Sequence, residues 1–229
     1  GSFERDALSK LDELFQKNPV QIMVGGSGLY VDAVLKGLDY FPDVDPKIRE
    51  ELTKQLQEKG IETLQEKLKE LDLETYHSIA IDNPHRIMRA LEICIGAEIP
   101  YSTFKNKPKT PRNFTSIKIG LNAEREVIYS RINKRVDHML ANGLLEEAEK
   151  LYPNKDLNAL QTVGYRELFS FFDGEFTQEF AISEIKKNTR RFAKRQGTWF
   201  KKDEETLWFD YQTNINEIIT KISDKINDI

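Results

Sequence analysis

Residues 186–202, KKNTRRFAKRQGTWFKK, constrain this chain more than any other stretch. Apart from Gly197 the segment has no helix breaker, and at roughly 100° per residue its two chemistries separate. Ile182, Ile185, Thr189, Phe192, Gln196 and Trp199 share one arc, while Lys186, Lys187, Arg190, Arg191, Lys194, Arg195, Lys201 and Lys202 fill the other side. Such a helix needs a packing partner for one face and water or anions for the other. A solvated charged face is the ordinary explanation of a basic run. Against it, this run holds no acidic residue although the whole chain carries a net charge of −4. It is also rich in Arg, which suits bidentate phosphate contact. Gln196, Thr198 and Trp199 place base-contacting groups among the charges, so phosphate or nucleic-acid binding leads.

At 229 residues, 39% apolar and 31% charged, the chain is sized for one large domain or a core with an appended lobe. Its only cysteine, Cys94, lies in an apolar run and reads as a core residue, which excludes a disulfide framework within the chain. His77, His85 and His138 are far apart and have no zinc pattern. No apolar run approaches the roughly 20 residues that span a bilayer, and no signal peptide is recognisable. The expectation is a chain without a membrane segment in a reduced, cytoplasmic setting.

Residues 3–17 have helical spacing and stop at Asn18-Pro19. Residues 21–24 read as a short buried strand that enters Gly25-Gly26-Ser27-Gly28, with a helix following from Leu29. A strand, a glycine-rich turn and a helix form the unit of parallel α/β sheets, and such a turn aims backbone N–H groups at an anion. It lacks the Gly-Lys-Ser/Thr ending of a phosphate loop, so a plain tight connection competes with anion binding. Residues 46–79 are charged and helical, with a break near Gly60; another helix follows Asn83-Pro84 with Arg86 and Arg89 on one face. Residues 100–113 read as a mobile basic loop, residues 114–121 as a strand, and residues 124–140 as a helix bearing Arg125, Arg131 and Arg135. The segment Gln161-Thr162-Val163-Gly164-Tyr165-Arg166 is a polar entry to a helix; residues 207–209 make a last strand and residues 215–226 a last helix.

Several segments together resemble one family, the tRNA dimethylallyltransferases (tRNA isopentenyltransferases). Val24-Gly25-Gly26-Ser27-Gly28-Leu29-Tyr30 is similar to its VGGTGLY turn. Asn83-Pro84-His85-Arg86-Ile87-Met88-Arg89-Ala90-Leu91-Glu92 resembles its D/N-P-x-R-x-x-R-A-L-E helix. Residues 131–144 follow R-I-x-x-R-V-D-x-M-L-x-x-G-L, and residues 163–168 follow I-G-Y-K/R-E-L. Thr189-Arg190-Arg191-Phe192-Ala193-Lys194-Arg195-Gln196-Gly197-Thr198-Trp199-Phe200 resembles T-R-x-Y-A-K-R-Q-x-T-W-F/L. Five motifs in order over about residues 3–210 make the match specific.

The resemblance implies an α/β fold: a partial P-loop-kinase-like parallel core at residues 1–44 and 113–229, with a helical tRNA-binding insertion and basic loop at 45–112. It implies Mg²⁺-assisted transfer of a dimethylallyl group from dimethylallyl diphosphate to N6 of adenosine 37, beside the tRNA anticodon. An allylic diphosphate reacts once its leaving group is neutralised, which calls for cations. Arg131 and Arg135 are the candidates for that role, with surface charge on an amphipathic helix as the competing account. The acceptor base must be flipped out and held near the allylic carbon. Carried over, the tRNA-contacting positions are Ser27, Arg49, His85, Arg86, Ile87, Met88, Arg89, the Gln161-to-Arg166 turn, and Lys194, Arg195, Gln196, Gly197, Thr198, Trp199, Phe200 and Lys201. Gly25, Gly26, Gly28 and Tyr30 would line the substrate channel. For Tyr165 and Trp199, packing competes with base stacking.

This chain departs from the family pattern with Ser27 in place of Thr and His85 where Gln is common. It holds neither the family's phosphate loop nor the nearby Asp that handles the amine proton. The expectations are therefore Mg²⁺ ligands and a general base largely outside these residues, a tRNA-binding surface within them, and no transfer by this segment alone. A monomer contacting the tRNA anticodon stem-loop and dimethylallyl diphosphate is expected. An adenylate isopentenyltransferase and a non-catalytic RNA-binding module are the alternatives; the helical segment 46–95 and the long basic helix exceed what a mononucleotide acceptor requires.

Overall fold

The computed structural model describes residues 1–228, in two compact units. One comprises Gly1–Ile22 and Asp32–Asn113; the other comprises Met23–Val31 and the chain from Phe114 onward.

In the first unit α1 (Ser2–Phe15) is followed by irregular chain, and α2 (Gly28–Lys36) contributes its buried Ala33 and Val34. The core is built by α3 (Pro46–Lys59), α4 (Ile61–Leu71), α5 (Leu73–Ser78) and α6 (Pro84–Ala97). Leu52, Leu64, Leu68, Ile87, Leu91 and Cys94 interlock at its centre, each fully buried Leu or Ile side chain contributing about 1.5–3 kcal/mol. The caps are legible in sequence. Asp45 accepts the Lys47 N–H at 2.9 Å ahead of Pro46, and Asn83 accepts the His85 N–H at 3.1 Å ahead of Pro84.

Asp72 ties this unit together. Its carboxylate, almost wholly buried, accepts the Thr75 N–H (2.9 Å), the Thr75 hydroxyl (2.7 Å) and the Ser102 N–H (2.7 Å). Burial alone would raise its pKa, but these donors outweigh it and hold the carboxyl below the usual aspartate value. Cys94 accepts the Tyr101 N–H at 3.3 Å, and burial pushes its thiol pKa up, as befits an unreactive core cysteine.

Two expectations change here. Residues 21–24 form no strand: Ile22 and Val24 are 87% and 90% exposed, and no described residue pairs with them. An apolar run becomes a parallel strand only when a neighbour accepts its backbone hydrogen bonds. Residues 100–113 are tethered rather than a mobile loop. Arg112 donates to the carbonyls of Ala33 (2.7 Å) and Val34 (2.8 Å) and to Glu4 (2.6 Å), and Lys109 donates to the Gly37 carbonyl at 2.8 Å. Both cations sit where the dipole at the end of α2 favours them.

In the second unit β1 (Ile119–Asn122) and β2 (Leu207–Asp210) pair in parallel, Ile119 opposite Leu207 and Asn122 opposite Asp210. The strand expected over 114–121 pairs only at its end, because β2 offers four residues. The Trp208 ring lies 2.5 Å from where a Cβ on Gly120 would stand, so only glycine fits there. The helices are α7 (Arg125–Ala141), α8 (Leu144–Leu151), α9 (Tyr165–Phe172), α10 (Gln178–Phe200) and α11 (Ile215–Asn227). Val136, Leu144, Ala148, Leu168, Phe169, Ala181 and Ile185 form the core of this unit. Among the described residues no helix is long and apolar enough to cross a membrane.

The long helix is buried only at its beginning. Ala181 and Ile185 are in the core, but Phe192 and Trp199, from the same arc, are 54% and 44% exposed. The core helices therefore hold the first half of α10, while the second half is only partly covered.

Candidate nucleic-acid interface

In the first unit the expected RNA-contacting residues divide sharply. His85 and Arg86 are exposed on the first turn of α6. Ile87 and Met88, expected on the same surface, are instead core residues at 0% and 6% exposure. The reason is helical phase: they share the stripe with Leu91 that packs against α3 and α4. Arg49 and Arg89 are part-exposed but committed. Glu92, 3% exposed, accepts Arg49 Nη1 at 2.7 Å and Arg89 Nη1 at 3.3 Å. Arg89 also lies 5.7 Å from the Phe41 ring centroid. A buried carboxylate needs such partners, and each arginine keeps its remaining donors outward. Glu92 carries this arrangement, and its sequence signal was the Glu that closes the R-A-L-E motif.

In the second unit the turn before α9 is held from within. Gly164, at φ +109°, adopts a backbone that glycine tolerates best. Its N–H donates to Glu167 Oε2 at 2.8 Å, and Glu167 Oε1 accepts Asn188 Nδ2 of α10 at 2.8 Å. Glu167 is buried, so it locks the turn to the long helix. Neither Glu167 nor Asn188 was singled out by sequence, although a Glu three residues after a cap position is the capping-box spacing. The turn leaves Thr162 and Arg166 exposed and Val163 partly buried, while Gln161 donates to the Lys155 carbonyl at 2.7 Å. Tyr165 stacks on Phe169 with centroids 6.0 Å apart and donates its hydroxyl to Glu147, which raises its phenol pKa. Packing therefore claims Tyr165. A cleft of about 310 Å³ opens beside it, lined by Met139, Asn142, Leu144, Glu147, Val163, Gly164 and Tyr165.

The cations of α10 divide as well. Lys186 pairs with Asp137 (2.5 Å), Lys187 with Glu184 (2.5 Å), and Arg190 donates to Asn133 at 2.8 Å. Lys194, Arg195, Lys201 and Lys202 are exposed, and none of them makes an ion pair among the described residues. The helix continues through Gly197, where a Cβ would meet nothing within 4 Å, and the Thr198 hydroxyl donates back to the Lys194 carbonyl at 3.0 Å. Phe200 ends it, half-buried.

Gln196 and Trp199 turn instead to the glycine-rich segment. Gln196 Nε2 donates to the Gly26 carbonyl at 3.0 Å. A Cβ on Gly26 would stand 1.9 Å from that nitrogen, and one on Gly28 would stand 2.3 Å from Trp199 Cδ1. Close approach of the indole ring, not an unusual backbone angle, demands glycine at 28, whereas at 26 the neighbour is the movable end of Gln196. Gly25 meets nothing, Ser27 is exposed, and its carbonyl accepts the Val31 N–H at 3.0 Å. Tyr30 is 51% exposed.

On α7, Arg131 and Arg135 are both exposed one helical turn apart. The Arg131 guanidinium sits 4.3 Å from the Tyr211 ring centroid, a cation–π contact that fixes it while leaving its N–H edge available. Among the described residues no three His, Cys, Asp or Glu side chains converge as a metal site.

Residues 1–203 match the sequence model of the family described as IPP transferase. The chain belongs to that family. It is 62% identical over 232 residues to a tRNA dimethylallyltransferase of Flavobacterium psychrophilum, covering 99% of this chain and 76% of that protein. It is 60% identical over 227 residues to the one from Christiangramia forsetii, covering 99% of this chain and 75% of that protein. Among solved structures, the full-length tRNA isopentenylpyrophosphate transferase of Bacillus halodurans superposes with a TM-score of 0.62 at 34% identity, covering 99% of this chain and 72% of that one. A eukaryotic dimethylallyltransferase acting on tRNA reaches a TM-score of 0.75 at 21% identity, over 99% of this chain and 61% of that one, a likeness of fold. The fold is thus the α/β, P-loop-kinase-like fold of the isopentenyltransferases, mostly helical here with a two-stranded parallel sheet.

Proposed function

We propose that this chain provides the tRNA-binding surface of a tRNA dimethylallyltransferase, which moves a dimethylallyl group from dimethylallyl diphosphate to N6 of adenosine 37. The observation that carries this reading, together with family membership, is the exposed end of α10. There Lys194, Arg195 and Lys201 remain without ion pairs while the same helix grips the glycine turn. Phosphates of the anticodon stem-loop meet these cations, together with His85, Arg86 and the outward donors of Arg49 and Arg89. The turn carrying Thr162 and Arg166 meets the loop bases or their phosphates.

In the transfer the N6 lone pair forms the new N–C bond as the C–O bond to diphosphate breaks. The bonding pair leaves with the diphosphate oxygen, Arg131 and Arg135 stabilise that growing negative charge, and N6 gives up one proton to a general base or water. Gly25, Gly26, Gly28 and Tyr30 line the path to the acceptor. A helical insertion over 45–112, a monomeric state and a cytoplasmic setting complete the reading. The last agrees with a single buried thiol.

These 229 residues contain neither a Gly-x-x-x-x-Gly-Lys-Ser/Thr loop nor, among the described residues, a converging acidic cluster. By themselves they bind the RNA and transfer nothing. Filter binding of an anticodon stem-loop at rising salt tests the surface. The logarithm of affinity should fall against that of salt by about 0.7 for each phosphate contacted. A flat response removes the RNA reading. Prenyl transfer by this polypeptide to that RNA, given dimethylallyl diphosphate and Mg²⁺, would refute the claim of inactivity.

A further inference from the structure

We infer that Gln196 and Trp199 are positioning residues that hold the glycine turn, and not RNA contacts. The inference rests on the proposed function for what the turn does, but its geometry stands alone. Both side chains belong to the arc of α10 that also carries Ile185 and Phe192, with Arg195 at its border, 5.8 Å from the Phe192 ring centroid. Gln196 spends its amide donor on the Gly26 carbonyl, 170 residues away along the chain. The Trp199 indole lies so close over Gly28 that Cγ, Cδ1 and Nε1 all stand 2.3–2.6 Å from where a Cβ would be. These two contacts fall on alternate residues of a segment that has no strand or helix of its own until Gly28. Without regular structure to hold it, that segment takes its position from α10.

The consequence is a link between two tasks. Lys194, Arg195 and Lys201 are interleaved in sequence with Gln196 and Trp199, so RNA seated on those cations steadies the helical turns that grip residues 26–28. The Gln196 side chain can swing away, because its contact lies at the end of a flexible chain. The indole cannot do so without leaving the turn altogether. Gly28 is therefore the stricter glycine.

Backbone hydrogen exchange over residues 25–31 in this chain reads the clamp without RNA. Gln196→Ala and Gly26→Ala should each speed exchange there about tenfold. The double variant should be no faster than the faster single, since both act on the same hydrogen bond. Gln196→Glu, the same shape without the donor, should match Gln196→Ala, and an unchanged thermal midpoint would show that folding is intact. Gly28→Ala should exceed Gly26→Ala. In parallel, Gln196→Ala should bind an anticodon stem-loop within about threefold of the parent, whereas Arg195→Ala should lose about tenfold. Unchanged exchange in the Gln196 and Gly26 variants overturns the clamp. A loss of RNA affinity in Gln196→Ala as large as in Arg195→Ala, with exchange unchanged, makes Gln196 an RNA contact. A parent chain that binds no RNA overturns the proposed function instead, and the exchange rates still decide the clamp.

Discussion

The arginines of α3 and α6 and the cations at the end of α10 look alike in sequence and differ in kind. Arg49 and Arg89 share the buried Glu92, so part of their charge is spent inside the fold. Lys194, Arg195 and Lys201 have no such carboxylate among the described residues. The first group stabilises its own unit and offers an anion only its leftover donors. The second offers an anion its full charge. Even along α10 the same division recurs, with Lys186 and Lys187 paired and the later cations not. A basic run is a set of potential contacts, and tertiary carboxylates decide which of them remain.

The comparison breaks first if the end of α10 is neutral and RNA does not notice. Replacing Lys194, Arg195 and Lys201 together by Ala should weaken stem-loop binding about a hundredfold at low salt. It should also flatten the salt dependence by about 0.7 for each phosphate that no longer meets a cation. Retained affinity in a filter-binding series would put the interface elsewhere. Glu92→Gln tests the other side. It should lower the urea-unfolding free energy by about 1–3 kcal/mol, as a buried charged acceptor is removed. It should also raise RNA affinity severalfold, because Arg49 and Arg89 regain free charge. An affinity that drops instead would mean that the carboxylate presents these arginines to RNA and does not withhold them.

Acid should act on the first unit through Asp72. Its pKa is depressed in the folded state, so its contribution is fully present above the unfolded value of about 3.9 and is lost as pH falls through the lower folded value. Asp72→Asn should cost about 1–2 kcal/mol at neutral pH. It should also remove that part of the acid sensitivity, as followed by circular dichroism between mildly acidic and strongly acidic buffers. The smallest effect has the opposite sign. Gly197→Ala meets no atom within 4 Å and lies inside a helix, so it should stabilise the protein by about 0.5–1 kcal/mol in thermal unfolding. A destabilised Gly197→Ala would show that the helix needs to bend there.

Much of the fold was legible. The break at Gly60, the Asp45-Pro46 and Asn83-Pro84 helix starts, and the helices after Glu124 and Leu144 all follow local rules of capping and periodicity. Residues 21–24 misled, because strand formation depends on a neighbour and an apolar run carries no information about one. Ile87 and Met88 misled for a related reason: a motif assigns a segment to a function, but helical phase assigns each side chain to a face.

The order of motifs, the family, the amphipathic helices and the concentration of charge in α10 were all determined by sequence alone, because they depend on neighbours three or four residues away. Only the tertiary structure decided which cations keep their charge, that Glu167 locks the turn at Gly164 to Asn188, that Gln196 holds the Gly26 carbonyl, and that Gly28 is a glycine because Trp199 lies against it. Those outcomes depend on residues far apart in the chain arriving within a few ångströms of one another. Local pattern cannot encode that distance. Packing sets it, and it separates a residue that holds the site from one that faces the ligand.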